Sequence, residues 1–249
     1  MSKYYYPDGR EFKNQNEFIK FYNDSYYLQN NRVIKRVPQN SEYVEKAIEY
    51  ILENGIKTEE DITKIIAWKI GTIKHIKSEQ VQCFVYYNGK PNVNRYKREI
   101  PLKPLFTYIL EDISSLEKQA KERPEEVLKE LLKFDGIGPV YAITILYFLS
   151  GKMYPIYDQY AHFALKAIGD NIGFSNKLIT NANLNEEVVL CDDPEVLFST
   201  YQENYVKCLK SVFGADRYND RNVDRALWVY GHLFKDTKTN QKRIRQVID

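Results

Sequence analysis

Apolar residues recur three or four positions apart along most of the chain, a spacing that places them on one face of a helix. The stripe within 44–52 follows Ser41, a residue suited to cap a helix, and stops before Gly55. Thr58 and Asp61 have the spacing of a capping box at the next helix start. Similar stripes predict helices at 58–70, 104–123, 194–213 and 222–235, and a short one within residues 1–40. The sequence therefore predicts a mostly α-helical protein.

The segment 81–102 has a different pattern. A β-prone run at 83–87 precedes Asn88 and Gly89, a dipeptide typical of two-residue hairpin turns, and Arg95, Lys97 and Arg98 follow. We expect one β-hairpin inserted into the helical protein. A basic hairpin of this kind either presses on a nucleic-acid backbone or is a solvated surface element, and the sequence leaves both interpretations open.

The most informative pattern lies within 124–169. Pro124 begins a leucine-rich helix, Gly136 and Gly138 form a turn, and Pro139 begins a second, strongly apolar helix. Asp158 then precedes a third helix. The free N–H groups at the start of the second helix favour an anion, and phosphate is a natural ligand. The alternative is a tight turn between two packed helices.

These motifs together resemble the helix-hairpin-helix DNA glycosylase superfamily, which includes endonuclease III, the adenine glycosylases and the alkylated-base glycosylases. The resemblance rests on residues 134–139, Ala142, 145–146 and 155–158, within the segment 124–169 that makes up about one fifth of the chain. It implies one glycosylase-like unit over 1–249 with two helical lobes and a cleft between them. The segment 124–169 supplies the hairpin and the acid, and the β-hairpin at about 81–102 is an insert.

By the same resemblance Asp158 takes the place of the catalytic aspartate. An N-glycosidic bond breaks through an oxocarbenium-like sugar, and a fixed carboxylate stabilises that positive charge or orients the attacking water. A purely structural alternative is that Asp158 caps the helix that follows. The two roles are compatible.

The resemblance also implies a role for the turn at Gly136 and Gly138, the hairpin of the helix-hairpin-helix motif. Its amides at Gly136, Ile137, Gly138 and Val140 are expected to hold the phosphate backbone of double-stranded DNA without reading sequence. In the superfamily this turn binds a monovalent cation through backbone carbonyls, so the same site is implied here. Members that cut the DNA strand carry a lysine where this chain has Val140, and valine cannot be a nucleophile. We therefore expect a monofunctional enzyme that leaves an abasic site.

Three residues around Asp158 are candidates for a pocket that holds a flipped base. Tyr157 is placed to stack, Gln159 to form hydrogen bonds, and His162 lies one helical turn further on. Each has a plainer interpretation, because Tyr157 suits a protein core and His162 suits a solvent-facing position.

Composition adds few constraints. The chain has 36 basic and 34 acidic residues, so any nucleic-acid surface is a local patch. The widely spaced Cys83, Cys191 and Cys208 do not form the four-cysteine pattern of the superfamily's iron–sulfur cluster, and the scattered histidines do not suggest a zinc site. We expect no metal and no cofactor beyond the cation. With no signal-peptide core and no membrane span in the sequence, we expect a cytoplasmic monomer, associated with the nucleoid when it acts on DNA.

The expected function is a DNA glycosylase of base excision whose target base the sequence does not specify. Alkylated, oxidised, deaminated or mispaired bases would indicate DNA repair, and modified phage cytosines would indicate antiviral defence. The alternative from a different class is a non-catalytic helix-hairpin-helix protein that only binds DNA. A hairpin used for protein contacts is a third option.

Overall fold

A computed structural model describes residues 4–6, 9–27, 41–70, short strands between 76 and 101, residues 102–169, 191 and 193–235. These residues are mostly helical, as predicted. The helices are α1 (Gln15–Tyr27), α2 (Ser41–Asn54), α3 (Glu59–Ile70), α4 (Lys103–Glu111), α5 (Ile113–Glu122), α6 (Pro124–Leu131), α7 (Pro139–Leu149), α8 (Gln159–Gly169), α9 (Pro194–Tyr201), a π-helical turn (Gln202–Val206), α10 (Lys207–Phe213) and α11 (Arg221–Lys235).

The strands are short and antiparallel. They are β1 (Ile76–Lys77), β2 (Gln80–Cys83), β3 (Tyr86–Tyr87), β4 (Lys90–Pro91) and β5 (Arg98–Pro101), paired in the orders β1-β2-β5 and β3-β4. Val81 lies opposite Ile100, and Tyr87 lies opposite Lys90. The predicted turn residues Asn88 and Gly89 lie outside the described residues, as do Arg95 and Lys97, so the inserted hairpin stays a prediction.

The chain forms two compact units. The first comprises Met1–Ser41, Pro155–Leu190 and Ser199–Asp249, and the second comprises Glu42–Tyr154 and Cys191–Phe198. The turn at Gly136 and Gly138 belongs to the second unit, and Asp158 belongs to the first. The glycosylase-like lobes and the cleft expected from the sequence stay predictions.

In the second unit, helix α7 lies at the centre. Helices α3, α5 and α6 pack against it, and every residue from Ala142 to Leu149 is buried. A helix that is apolar all round is suited to such a position. Trp68 of α3 donates its indole N–H to Glu45 of α2 at 2.9 Å, and its ring lies 6.3 Å from that of Phe148. These contacts hold the partly exposed Trp68 against α2 and α7.

In the first unit, helix α11 packs against both α1 and α8. The crossing with α8 is very close, because a Cβ built at Gly231 would overlap the backbone carbonyl of Tyr160. Beside it, the ring of His232 stacks on that of Tyr160 at 3.5 Å between centroids. The close approach therefore fixes the first turn of α8 against α11.

Side-chain capping explains where several helices begin. The capping box is present, since Thr58 Oγ1 accepts the Asp61 N–H at 3.2 Å and Asp61 Oδ2 accepts the Thr58 N–H at 3.0 Å. The single helix predicted for 104–123 is wrong. Asp112 interrupts it with a φ of −146°, and its carboxylate accepts the Ser115 N–H at 3.1 Å to begin α5. Asp112 therefore caps a new helix instead of continuing the old one.

The predicted helix at 194–213 contains a π-helical turn that the sequence analysis missed. Five of its buried residues are spaced by four: Leu197, Tyr201, Tyr205, Leu209 and Phe213. Four residues of an α-helix turn through about 400°, so such a stripe drifts by about 40° at each step. The wider π turn takes up part of this drift and keeps the stripe buried. Gly214, with a φ of +89°, ends the segment.

No helix in the part of the chain that the structure describes combines the length and apolar character needed to cross a membrane.

We expect Gly231→Ala to destabilise the protein by about 3 kcal/mol, because the new methyl group would force α8 and α11 apart. Urea unfolding followed by circular dichroism measures this loss. Gly169→Ala in α8 is the control, since a Cβ there meets nothing within 4 Å. Equal stability of both variants would contradict the close approach of the two helices.

Candidate functional site

The predicted hairpin turn connects α6 to α7. Gly136 adopts a φ of +81°, a conformation that side-chain-bearing residues rarely take. Ile137 is buried and donates its N–H to the Phe134 carbonyl at 3.0 Å. The Phe134 ring packs on that of Tyr108 in α4, 5.4 Å between centroids. The turn is therefore anchored through the residues on either side of Gly136.

The N–H groups of this turn differ in availability. Of the four amides predicted to bind phosphate, that of Ile137 is used internally. Those of Gly136, Gly138 and Val140 have no hydrogen-bond partner among the described residues. Pro139 has no N–H, and the Gly138 carbonyl accepts the first α7 bonds from Tyr141 and Ala142 at 3.0 Å. Three N–H groups therefore remain to bind an anion at the start of α7.

Gly138 is a glycine for which the folded chain has no internal need. Its φ of −90° and ψ of 179° are ordinary extended angles that other residues adopt readily. A Cβ built at Gly138 meets nothing within 4 Å, so packing does not exclude a side chain either. The lack of a side chain leaves the backbone open to approach by a ligand.

Asp158 caps α8. Its Oδ1 accepts the N–H of Tyr160 at 2.8 Å, and its carbonyl accepts the N–H of His162 at 2.9 Å. The residue is partly exposed. The structural alternative for Asp158, an N-cap, is therefore confirmed, and it leaves the carboxylate in a fixed orientation at the positive end of a helix.

Two buried tyrosines hold the chain just before Asp158, and sequence reasoning did not identify this role. Tyr201, the last residue of α9, donates its hydroxyl to the Pro155 carbonyl. Tyr205, in the π turn, donates to the next carbonyl, Ile156, at 3.1 Å. The four-residue spacing of the two tyrosines predicts their burial, but their carbonyl partners lie 46 and 49 positions away in sequence.

Two of the predicted pocket residues are core residues. Tyr157 is 0% exposed and His162 is 2% exposed, and the tyrosine hydroxyl lies 3.3 Å from His162 Nδ1. The ring of Tyr157 also meets that of Tyr205 edge-on at 5.1 Å. The plainer interpretation of His162 as a solvent-facing residue is wrong, while the core interpretation of Tyr157 fits its burial. Gln159 is partly exposed.

The surroundings of Tyr205 keep it protonated. Burial raises the pKa of the Tyr205 hydroxyl well above its ordinary value of 10.0, and the nearby Tyr201 and the charge of Asp158 raise it further. A neutral phenol is a hydrogen-bond donor, so the bond to the Ile156 carbonyl persists across the physiological pH range.

The described residues contain no group of three or more His, Cys, Asp and Glu side chains arranged to hold a metal ion. The hairpin offers a different donor set. The carbonyls of Asp135, Gly136 and Ile137 accept no hydrogen bond from a described residue. Backbone carbonyls are suitable ligands for a monovalent cation, and these three oxygens are available as ligands; the cation itself stays a prediction.

Comparison of the chain with protein-family models, with curated proteins and with solved structures finds no match in any of the three.

Asp158→Ala should lower the free energy of unfolding by about 1 kcal/mol, because the Tyr160 N–H loses its cap. Asp158→Asn should change it little, since asparagine caps as well as aspartate. Thermal and urea unfolding of the two variants measure the difference. An alanine variant as stable as the wild type would show that the cap contributes nothing.

Proposed function

We propose that the chain is a monofunctional DNA glycosylase that flips a modified or damaged base out of double-stranded DNA and hydrolyses its N-glycosidic bond. The observation that supports this best is the bare backbone at Gly138, where a Cβ would meet nothing within 4 Å. The N–H groups of Gly136, Gly138 and Val140 around it have no hydrogen-bond partner among the described residues. An aspartate in a fixed orientation follows in the chain at the start of α8.

In this proposal the hairpin holds the DNA backbone. A phosphate oxygen accepts from the N–H groups of Gly138 and Val140, and the dipole of α7 favours its negative charge. This binding does not depend on the DNA sequence, since it involves no contact with a base. A cation held by the carbonyls of Asp135, Gly136 and Ile137 would add a positive charge for the same phosphate.

Asp158 is the proposed catalytic residue. The bond between the sugar C1′ and the base nitrogen breaks, and the electron pair leaves with the base, which then takes a proton. The developing positive charge on the sugar is stabilised by the carboxylate. Water adds to C1′ and gives up one proton to the solvent, which balances the proton that the base takes. The Tyr160 N–H holds one carboxylate oxygen, so the charge already points in one direction before the substrate arrives.

The product of this reaction is an abasic site. Cleavage of the strand would require an amine that forms a Schiff base with the sugar, and Val140 supplies none at the position where related lyases carry lysine. The DNA strand is therefore left intact by the proposed enzyme.

The proposed base pocket begins with Gln159, whose partly exposed amide is suited to pair with the edge of a flipped base. The stacking role of Tyr157 and the pocket role of His162 stay predictions for two side chains that are buried in the present structure. Two classes of target base remain candidates, namely the substrates of DNA repair and the modified cytosines of phage DNA.

One observation favours the second candidate, a DNA-binding protein without catalysis. Asp158 already has a structural use as the α8 cap, so its presence does not require an enzymatic reason.

Base release by wild type and Asp158→Asn decides between the two functions. The proposed enzyme should release free base and leave alkali-labile sites in one member of a panel of alkylated, oxidised, deaminated, mispaired and glucosylated-cytosine DNAs. Asp158→Asn keeps the cap and should lower that rate at least about 100-fold. Binding without release from every DNA would favour the non-catalytic candidate, and breaks without alkali would overturn the assignment of Val140.

Gly138→Ala tests whether the turn at Gly138 binds the DNA phosphate. A methyl group at this position meets nothing in the protein, so the fold should be unaffected. It would keep a phosphate from lying against the backbone. Affinity for an unmodified duplex should therefore fall about tenfold, which corresponds to the loss of one charged hydrogen bond. Fluorescence anisotropy at several salt concentrations measures it. Gly169→Ala is the matched control and should bind like the wild type. Equal binding by both variants would place the DNA elsewhere.

A further inference from the structure

The short segment 155–158 carries Asp158 and has no regular secondary structure. Pro155 and Ile156 are buried, and a buried carbonyl without a partner is costly. The hydroxyls of Tyr201 and Tyr205 satisfy these two consecutive carbonyls. The path of the backbone into Asp158 is therefore set by two side chains of the helical segment 194–213.

We propose that Tyr205, assisted by Tyr201, is a positioning residue that holds the Asp158 carboxylate in its reactive orientation. This inference rests on the proposed glycosylase function for its catalytic consequence. The positioning itself does not depend on it.

The contacts of Tyr205 support this role. Its hydroxyl binds the Ile156 carbonyl, two residues before the acid, while its ring packs edge-on against Tyr157, the residue next to the acid. It also lies 5.5 Å, ring to ring, from His162, whose N–H donates to the Asp158 carbonyl. Tyr205 thus contacts the chain on both sides of Asp158.

The π turn gives a reason for the arrangement. It spans 202–206 and includes Tyr205, directly after Tyr201. Such turns occur frequently at functional sites, where they reorient a side chain at the expense of regular helix bonds. Here two tyrosines four positions apart bind adjacent carbonyls of the segment 155–158. Catalytic groups must be held to within about 0.5 Å of their working position. Two hydrogen bonds from separate side chains restrain the segment more than one would.

The test compares three single variants. Tyr205→Phe and Tyr201→Phe each remove one hydroxyl that holds the segment and keep the ring. Tyr22→Phe is the matched control, because Tyr22 is a fully buried tyrosine of the same unit and donates to the Tyr5 carbonyl at 2.9 Å. Each variant loses one hydroxyl-to-carbonyl bond of a buried tyrosine and should lose similar stability.

Amide hydrogen exchange at Tyr160 is the first measurement, since that N–H is bonded to Asp158 Oδ1. Protection at Tyr160 should fall about fivefold more in Tyr205→Phe than in Tyr22→Phe. An equal change in both variants would overturn the positioning role. The single-turnover rate of base release should fall about tenfold in Tyr205→Phe with unchanged DNA affinity, and remain near wild type in Tyr22→Phe.

The two hypotheses fail separately. If the wild type releases no base from any DNA of the panel, the proposed function fails, while the exchange at Tyr160 still decides whether Tyr205 positions the carboxylate. If base is released and Tyr205→Phe retains the full rate, the glycosylase stands and the positioning role is overturned.

Discussion

The close approach of α8 and α11 at Gly231 is the constraint on which the first unit depends. Because no side chain separates the helices, the backbone of Tyr160 lies directly against α11. The stacked ring of His232 restrains the same residue from the side. Tyr160 in turn supplies the N–H that orients the Asp158 carboxylate. A packing contact that involves no reactive group therefore restrains the residue whose N–H binds the acid.

The two candidate sites use different kinds of group. The hairpin presents backbone N–H groups, and its two glycines serve different purposes. Gly136 is needed for its positive φ, whereas Gly138 has ordinary angles and open space around it. The acid site presents a side chain, and its precision comes from neighbouring residues instead of from the backbone itself. Asp158 is accordingly held by the N–H of Tyr160 and, through the preceding segment, by two tyrosines.

Much of the helical structure was predictable because its determinants are local. The stripes, the capping box at Thr58 and Asp61 and the turn at Gly136 each depend on residues within a few positions of one another. Asp112 was misassigned because an aspartate on a helical stripe is equally compatible with an exposed helix position and with a cap. Only the path of the chain in three dimensions separates these possibilities.

The candidate site was predictable only in part for the same physical reason. The position of Asp158 before a helix follows from the pattern around it, and its capping bond follows from aspartate chemistry. The partners of Tyr201 and Tyr205 lie more than 40 positions away, and His162 is buried by contacts with another helical segment. Contacts between residues so far apart in sequence leave no periodic pattern of hydrophobic residues from which they could be predicted.

The hydroxyl bonds of Tyr201 and Tyr205 also bear on which substitutions the chain can accept. Both acceptors are backbone carbonyls, so the bonds themselves do not depend on the side chains of residues 155 and 156. Serine and threonine carry a hydroxyl on a much shorter side chain, so neither can replace the two tyrosines as donors. An apolar residue of similar volume can therefore take the place of Ile156 without loss of a hydrogen bond, whereas positions 201 and 205 accept only tyrosine.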